Sequence, residues 1–586
     1  MAQGTSLYTM LSHVATVLFL ALHSANALIN PILPGWNPDP SIVRVGSDYF
    51  IATSTFEYFP GHPIYHSKDL VDWKLIGHAL SRPSQLSLLG TPSDAGVWAP
   101  GLRYHDGYFY LTSTTRYVYT SEFRLFPRSF YVKTKNIFSN DWSDPVYFDS
   151  LGYDADLFWD TNGDVYCTWS GINNAVDKIY GIWQNKIDLA TGNSLTPAER
   201  IFAGTLPNNS SARPEGPHMY HINGTYYLLI AEGGTDVHHR ATIQRGPSPS
   251  GPWESNPNNP ILFNGADLSN AVQDTGHADI VQGADGRWWG VALGVRPQGH
   301  NFSHIQLGRE TFLFPVTWSG GWPIFNSGQP MTEHLPSSIL PDRSPLAAYT
   351  NTFTFTSSSP TLDPSFYFIR TPYKPFHSLT ARRGYLRLFG NAYAPGDRDS
   401  AALVLRKQTA YEETFEVLLD GFVPRDNLTE AGATVYYGDL LHNDIAVAGG
   451  RVEEGEEGSS RYVLVRTIVQ AKQVGPWALT TANATMTTVN RYKLATKDAP
   501  MRFQIAGNST SYTLGYAEGT ASDFTPLATI DSAALSIAPA GGFFFRGASF
   551  GIYNTGNGRP SLVTADFKYW KQTPKQPSFN TTSGDV

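Results

Sequence analysis

The sequence predicts an all-β protein: a five-bladed β-propeller followed by a β-sandwich. Three observations carry this. Paired apolar and aromatic runs flank Gly46, Gly107, Gly163, Gly224 and Gly286, at spacings of 61, 56, 61 and 62 residues, a period long enough for one four-stranded blade each. The pairs break at turn residues such as Asn223-Gly224, which supply the positive φ angles of a tight hairpin. From about Ala347 the pattern shifts to short alternating runs such as FTFTSS, ALVLRKQ, TFEVLLDGFV and RYVLVRTIV, the pattern of a sandwich.

In chain order, Met1 to Ala27 carry an apolar run, Val14 to Leu22, ending at Ala25-Asn26-Ala27. This reads as a secretory signal with an A-x-A cleavage site, although no Lys or Arg precedes it, and the run is short for a bilayer span. A secreted protein without a membrane anchor is expected, and eight N-x-S/T sequons at Asn208, Asn209, Asn223, Asn301, Asn427, Asn483, Asn508 and Asn580 fit that route. Residues 28–335 are assigned to the propeller, 336–350 to a Pro- and Ser-rich linker, 351–572 to the sandwich and 573–586 to a tail. The run Glu453 to Glu457 reads as a solvated hairpin tip. The single Cys167 reads as a buried small hydrophobe. A net charge of −8 over 586 residues argues against a nucleic-acid partner, whereas 14 Trp and 31 Tyr suit a neutral carbohydrate.

Nine residues before the later turn glycines stand Trp98, Asp154, Glu215 and His277, and Asp39 precedes Gly46 by seven. The first strand of every propeller blade lines the central axis, so these positions should converge at one mouth of the channel. The competing reading makes each acidic residue a turn cap; recurrence in register favours a shared pocket. In NPDPS two prolines flank Asp39 and should hold it in an extended backbone.

The runs NPDPS, STFEYFPG at Ser54–Gly61, VWAPGLRYHDG at Val97–Gly107, GYDADLFWD at Gly152–Asp160, RPEGPH at Arg213–His218 and TGHADIV at Thr275–Val281 resemble, in order, the motifs of family-43 glycoside hydrolases. The resemblance covers roughly Asn30 to Trp322, and the half of the chain from about Ala347 resembles the concanavalin-like C-terminal sandwich of secreted, fungal-type β-xylosidases. It implies a β-xylosidase or α-L-arabinofuranosidase. It makes Asp39 the general base, Glu215 the general acid and Asp154 the residue that tunes and orients that acid. Asp156 in DADLF is an additional acid; strand alternation places it on the same face as Asp154, further along. Phe56 and Trp98 resemble walls of the first sugar subsite, against a core-packing alternative. His277 resembles an axial histidine that in some members contacts water or a cation such as Ca²⁺, against a satisfied buried histidine. Arg309 resembles a sugar-binding arginine, against a structural ion pair. In Phe543-Phe544-Phe545-Arg546-Gly547-Ala548, Phe545 resembles an aromatic that reaches the propeller's pocket and makes the sandwich an undetachable part of the enzyme, against ordinary sandwich core.

The implied chemistry needs an ionised carboxylate to deprotonate water and a protonated acid for the leaving oxygen, and a neighbouring anion keeps that acid protonated. No cofactor is required. Exo-acting, inverting release of xylose from β-1,4-linked xylo-oligosaccharides leads; arabinofuranosidase action on arabinoxylan, or both activities together, is the alternative. A noncatalytic sugar-binding propeller would have no use for Asp39 and Glu215 together.

Overall fold

The computed structural model describes residues 28–116, 128–173, 179–207, 213–299, 302–335, 351–356, 359–439, 441–450, 461–470, 485–536 and 545–575. The signal segment, the linker, the acidic run at 453–457, Phe543 and Phe544, and the sequons at 208, 209, 301, 483 and 580 lie outside the described residues. Asn223, Asn427 and Asn508 are exposed. Among the described residues no helix is long and apolar enough to cross a membrane.

Among the described residues five four-stranded antiparallel sheets follow one another, each built from strands consecutive in the chain except in the first, where Tyr58–Phe59 intervenes and pairs elsewhere. Their first strands are Ser41–Val45, Gly96–His105, Gly152–Trp159, Glu215–Ile222 and Gln273–Gln282. Each packs against its neighbour's first strand, and the fifth packs against the first, closing the ring. The flanking segment PIYHSKDLVDWKLIG forms the outer strands Gly61–Ser67 and Lys74–Leu80 of blade one. Turn chemistry follows the sequence at Asn223-Gly224, where both residues have positive φ (51° and 79°) and Ile222 pairs with Thr225. Blades hold together through buried seams such as Phe50, Leu102, Leu111, Val132 and Trp142 between blades one and two. The propeller's ends are tied by Leu28–Ile29 pairing with His334–Leu335, and the Asn30 side chain donates to the Leu313 carbonyl at 2.9 Å and accepts from its N–H at 3.0 Å.

Two eight-stranded sheets form the sandwich. Glu413–Asp420 alternates buried and half-buried positions, sending Phe415, Val417 and Leu419 into the core with Phe503, Phe550 and Trp570. Strands Glu430–Gly438 and Leu441–Gly449 are buried along their whole length, because one face of their sheet meets the second sheet and the other meets the propeller. The last strand, Thr564–Pro574, runs two residues past the expected domain end at 572, since Glu413 pairs with Pro574.

The two domains share a sheet. Tyr58–Phe59, inside STFEYFPG of the propeller, is the edge strand of a sandwich sheet, with Phe59 opposite Phe368 and Tyr58 opposite Ile369. One apolar cluster joins Trp36, Tyr58 and Trp98 of the propeller to Tyr367, Leu405 and Tyr553 of the sandwich. Beside it, Arg546 of the sandwich is buried against Glu57 and Asp94 of the propeller, with Nε 3.3 Å from the Glu57 carboxylate. Glu57 also accepts the Asp94 N–H at 2.9 Å. Burial pushes the Glu57 carboxyl up to about 7 even with Arg546 beside it, so removal of the guanidinium leaves two buried acids facing one another. We expect Arg546→Met to destabilise the protein by about 3–5 kcal/mol, the cost typical of breaking one side of a buried ion pair. Urea unfolding followed by tryptophan fluorescence checks this, and a midpoint unchanged from wild type contradicts it.

Candidate active site

The first strands of blades two to five share one irregularity. In each, three residue steps oppose two on the partner: Trp98 to Gly101 against Thr114 to Thr112, Tyr153 to Asp156 against Ser170 to Thr168, Glu215 to His218 against Ala231 to Leu229, and Gly276 to Asp279 against Leu293 to Val291. Each is a β-bulge, a device that re-aims side chains. The first inserted residue has positive φ in blades three, four and five: Asp154 at 56°, Gly216 at 54° and His277 at 48°. Counting back from the turns therefore reached structurally different positions. Blades two and four turn through two residues, blades three and five through five. Trp98 and Glu215 flank their bulges, while Asp154 and His277 sit inside theirs. Bulging turns both kinds of position toward the axis.

Asp39 departs from its expected geometry. Its φ is +56°, a left-handed conformation rather than the extended one that the flanking prolines suggested. Tertiary contacts override the local preference: Ser54 Oγ donates to Oδ2 at 2.6 Å, Arg309 Nη1 donates to Oδ1 at 3.0 Å, and Asp is among the residues that tolerate this region best.

A cavity of about 290 Å³ opens here, lined by Asp39, Phe56, Trp98, Asp154, Glu215, His277, Arg309 and Phe545. All eight residues given a catalytic or sugar-binding role by the resemblance lie on its wall. Tyr153, Arg213 and Gly234-Thr235-Asp236 complete the lining; sequence reasoning missed these. Tyr153 and Arg213 stand inside the quoted motifs GYDADLF and RPEGPH, so the signal was there. Gly234 to Asp236 follow the second strand of blade four, and nothing in their sequence marks them. Asp156 does not line the cavity. It lies deeper on the axis, bonded by Arg103 and His218.

Phe545 covers one side, near-parallel to Phe56 at 5.9 Å and edge-on to Trp98 at 5.5 Å. Its carbonyl accepts from Arg309 Nε and Nη2 at 3.1 and 3.0 Å, and its N–H donates to Asp94 at 2.9 Å. Arg309 thus combines both readings offered for it: it lines the cavity and makes a buried ion pair with Asp39.

The carboxyl groups occupy opposed electrostatic environments. Burial would raise Asp39, but Arg309 and then the Ser54 hydroxyl outweigh it and hold the group below its ordinary 3.8. Burial raises Glu215 to about 7; the Asp39 charge adds to this, while Arg213 and Arg309 oppose it. Burial and then the charge of Glu215 raise Asp154 as well. The Gly216 N–H, donating to Asp154 at 3.0 Å, favours the anion there. The Tyr153 hydroxyl is 3.4 Å from Glu215. His277 is pulled down to about 3, by burial first, and is neutral beside Asp39, with Nδ1 at 3.7 Å. Among the described residues no three His, Cys, Asp or Glu side chains are grouped as metal ligands, and Asp39, 3.7 Å from His277, is already bonded to Arg309 and Ser54, so this lining does not fit Ca²⁺. A carboxylate held ionised, carboxyls held toward their protonated form and an aromatic wall around a cavity of sugar size suit acid–base cleavage of a glycoside.

Comparison with known proteins agrees with that chemistry. Residues 28–323 match the model of glycosyl hydrolases family 43, and residues 354–573 match the beta xylosidase C-terminal concanavalin A-like domain. The chain is 36% identical to a non-reducing end alpha-L-arabinofuranosidase of Bacteroides ovatus over 548 residues, covering 92% of this chain and 94% of that one. It is 37% identical to a beta-xylosidase of Bacillus subtilis over 420 residues, 70% of this chain and 77% of the other. The crystal structure of a xylan beta-1,4-xylosidase from Bacillus halodurans superposes with a TM-score of 0.83 at 30% identity, covering 93% of this chain and 100% of that one. The chain belongs to glycoside hydrolase family 43, as a propeller joined to the family's C-terminal concanavalin A-like sandwich.

Proposed function

We propose that this enzyme removes single terminal xylose units from β-1,4-linked xylo-oligosaccharides by an inverting mechanism, and that it is secreted. The observation that supports the exo reading is that Phe545 of the sandwich walls one side of the cavity against Phe56, a wall that favours a terminal ring over a continuing chain. Asp39, held ionised by Arg309, is the general base that deprotonates water. Glu215, less buried than Asp154, is the general acid that protonates the departing oxygen. Asp154 orients it and disfavours its ionisation. Water attack opposite the leaving group inverts the anomeric carbon. The apolar run at 14–22 and the A-x-A site at 25–27 support export.

A specific observation favours a second reading. The relative matched over 92% of the chain is named an arabinofuranosidase, and α-L-arabinofuranose presents hydroxyls much as β-D-xylopyranose does. One wall contact distinguishes such sugars by only about 1–3 kcal/mol, so release of arabinose from arabinoxylan, alone or beside xylosidase action, uses the same trio. Separate incubation with xylobiose and arabinoxylan decides. Xylose from xylobiose is expected; arabinose from arabinoxylan with intact xylobiose would establish the second reading. Proton NMR of the first-formed sugar should show inverted configuration.

Asp39→Asn and Glu215→Gln should each lower kcat by ~10²- to 10⁴-fold on natural oligosaccharides while leaving the circular dichroism spectrum unchanged. The Glu215 loss should shrink on activated aryl glycosides, whose leaving groups need little protonation.

The pH profile of kcat/KM follows from the two environments. Asp39 works ionised, so the acidic limb should lie below pH 3.8, its ordinary value. Glu215 works protonated, so activity should fall as pH rises through about 7. Arg309→Met should shift the acidic limb upward, because the largest influence opposing burial at Asp39 is lost. An acidic limb unmoved in that variant counts against Asp39 as the base.

A further inference from the structure

Beneath the cavity lies a buried polar hub that draws on every blade: Ser41 from blade one, Arg103 from two, Asp156 from three, His218 and Tyr220 from four, and Asp279 from five. Arg103 joins its members. Nη1 donates to Asp279 Oδ2 at 3.0 Å, and Nη2 reaches both Asp156 and His218 Nδ1, the latter at 2.7 Å. His218 Nδ1 also lies 3.1 Å from Asp156 Oδ2, and its Nε2 lies 3.9 Å from Asp279. Asp279 also accepts from Ser41 Oγ at 2.8 Å, the Ile42 N–H at 3.0 Å and Tyr220 hydroxyl at 2.6 Å. The carboxylates are nearly or fully sealed, 3% exposed at Asp156 and 0% at Asp279.

The hub's spacing along the chain gives it a role. Ser41 is two residues from Asp39, Asp156 two from Asp154, His218 three from Glu215 and Asp279 two from His277. In blades three, four and five the hub residue closes the β-bulge that carries the cavity residue. A bulge leaves its extra residue unpaired in the ladder, so backbone pairing alone leaves the aim of Asp154 and Glu215 loosely set. The hub clamps the deep end of each bulge to the same cation. We propose that Arg103 is a positioning residue for the reaction, setting the mutual spacing of Asp39, Asp154 and Glu215 without touching substrate. The proposal rests on the reading of those three as the working trio.

Arg103→Met and Arg103→Lys, assayed on whichever pentoside the wild type turns over, test it. Misplacement of reacting groups by about an ångström costs on the order of 100-fold, so Arg103→Met should lose about that much kcat with little change in KM. Its alkaline limb should move upward, because two anions left beneath the cavity disfavour ionisation of Glu215. Arg103→Lys keeps the charge but not the fork and should fall between Met and wild type. Asp279→Asn, which removes the other pole, should also lower kcat and serves if Arg103→Met does not fold. Folded variants, checked by circular dichroism, whose kcat and pH profile match wild type would make the hub purely structural and overturn the proposal. A wild type inactive on every pentoside would overturn the functional reading as well, so the two failures are distinguishable.

Discussion

The structure depends on the guanidinium of Arg309. Through Nη1 it holds Asp39 ionised in a left-handed backbone, and through Nε and Nη2 it holds the carbonyl of Phe545. The carboxylate belongs to the segment that opens blade one; the carbonyl belongs to the sandwich. One planar group with its donors fixed in a fork therefore ties the cavity's most acidic carboxylate to the domain that closes the cavity. Neither partner could drift without leaving a buried charge or donor unpaired, which costs more than the bond itself contributes.

Further buried contacts make that coupling stiff. Lys407 of the sandwich donates to Asn37 at 2.8 Å, two residues before Asp39, and stands 4.1 Å over Trp36. Burial pulls this lysine well below its ordinary range, so its amine works as a hydrogen-bond donor in an aromatic box. Asn37 also accepts from the Tyr65 hydroxyl at 2.8 Å and donates to the Pro34 carbonyl at 3.2 Å. Gly35 cannot carry a side chain, because a Cβ there would run into the Gln408 carbonyl. The segment preceding Asp39 is thus shaped by residues some 370 positions later in the chain.

The same logic separates the carboxyl groups chemically. Asp39 and Asp154 are buried and Glu215 half-buried, and burial alone would raise all three. Asp39 escapes because Arg309 and the Ser54 hydroxyl favour its anion, whereas burial first, and then the charge of a neighbouring carboxylate, raise Glu215 and Asp154. Unlike environments for like groups allow one fold to present a base and an acid at the same pH.

Much of this was legible in the sequence, for physical reasons. Blade number follows from hairpin periodicity, because each hairpin needs its own turn residues, and the sandwich follows from alternation, because a two-faced strand must alternate. The wall residues Phe56, Trp98, His277, Arg309 and Phe545 were found through motif resemblance, and Tyr153 and Arg213 lay within reach of it. What the sequence determined by itself was therefore the set of local choices: turns, strand faces and the residue types that converge on an axis. Tertiary structure alone decided the rest. It set the left-handed backbone of Asp39 against the preference of its prolines, and the bulges that give Asp154 and Glu215 different places in their strands. It made Tyr58–Phe59 a strand of the other domain and took Asp156 out of the cavity into the hub. Each of these depends on a partner distant in the chain, such as Arg309, Ile369 or Arg103, and a preference set by near neighbours carries no information about a contact whose energy is gained only when the whole chain has folded.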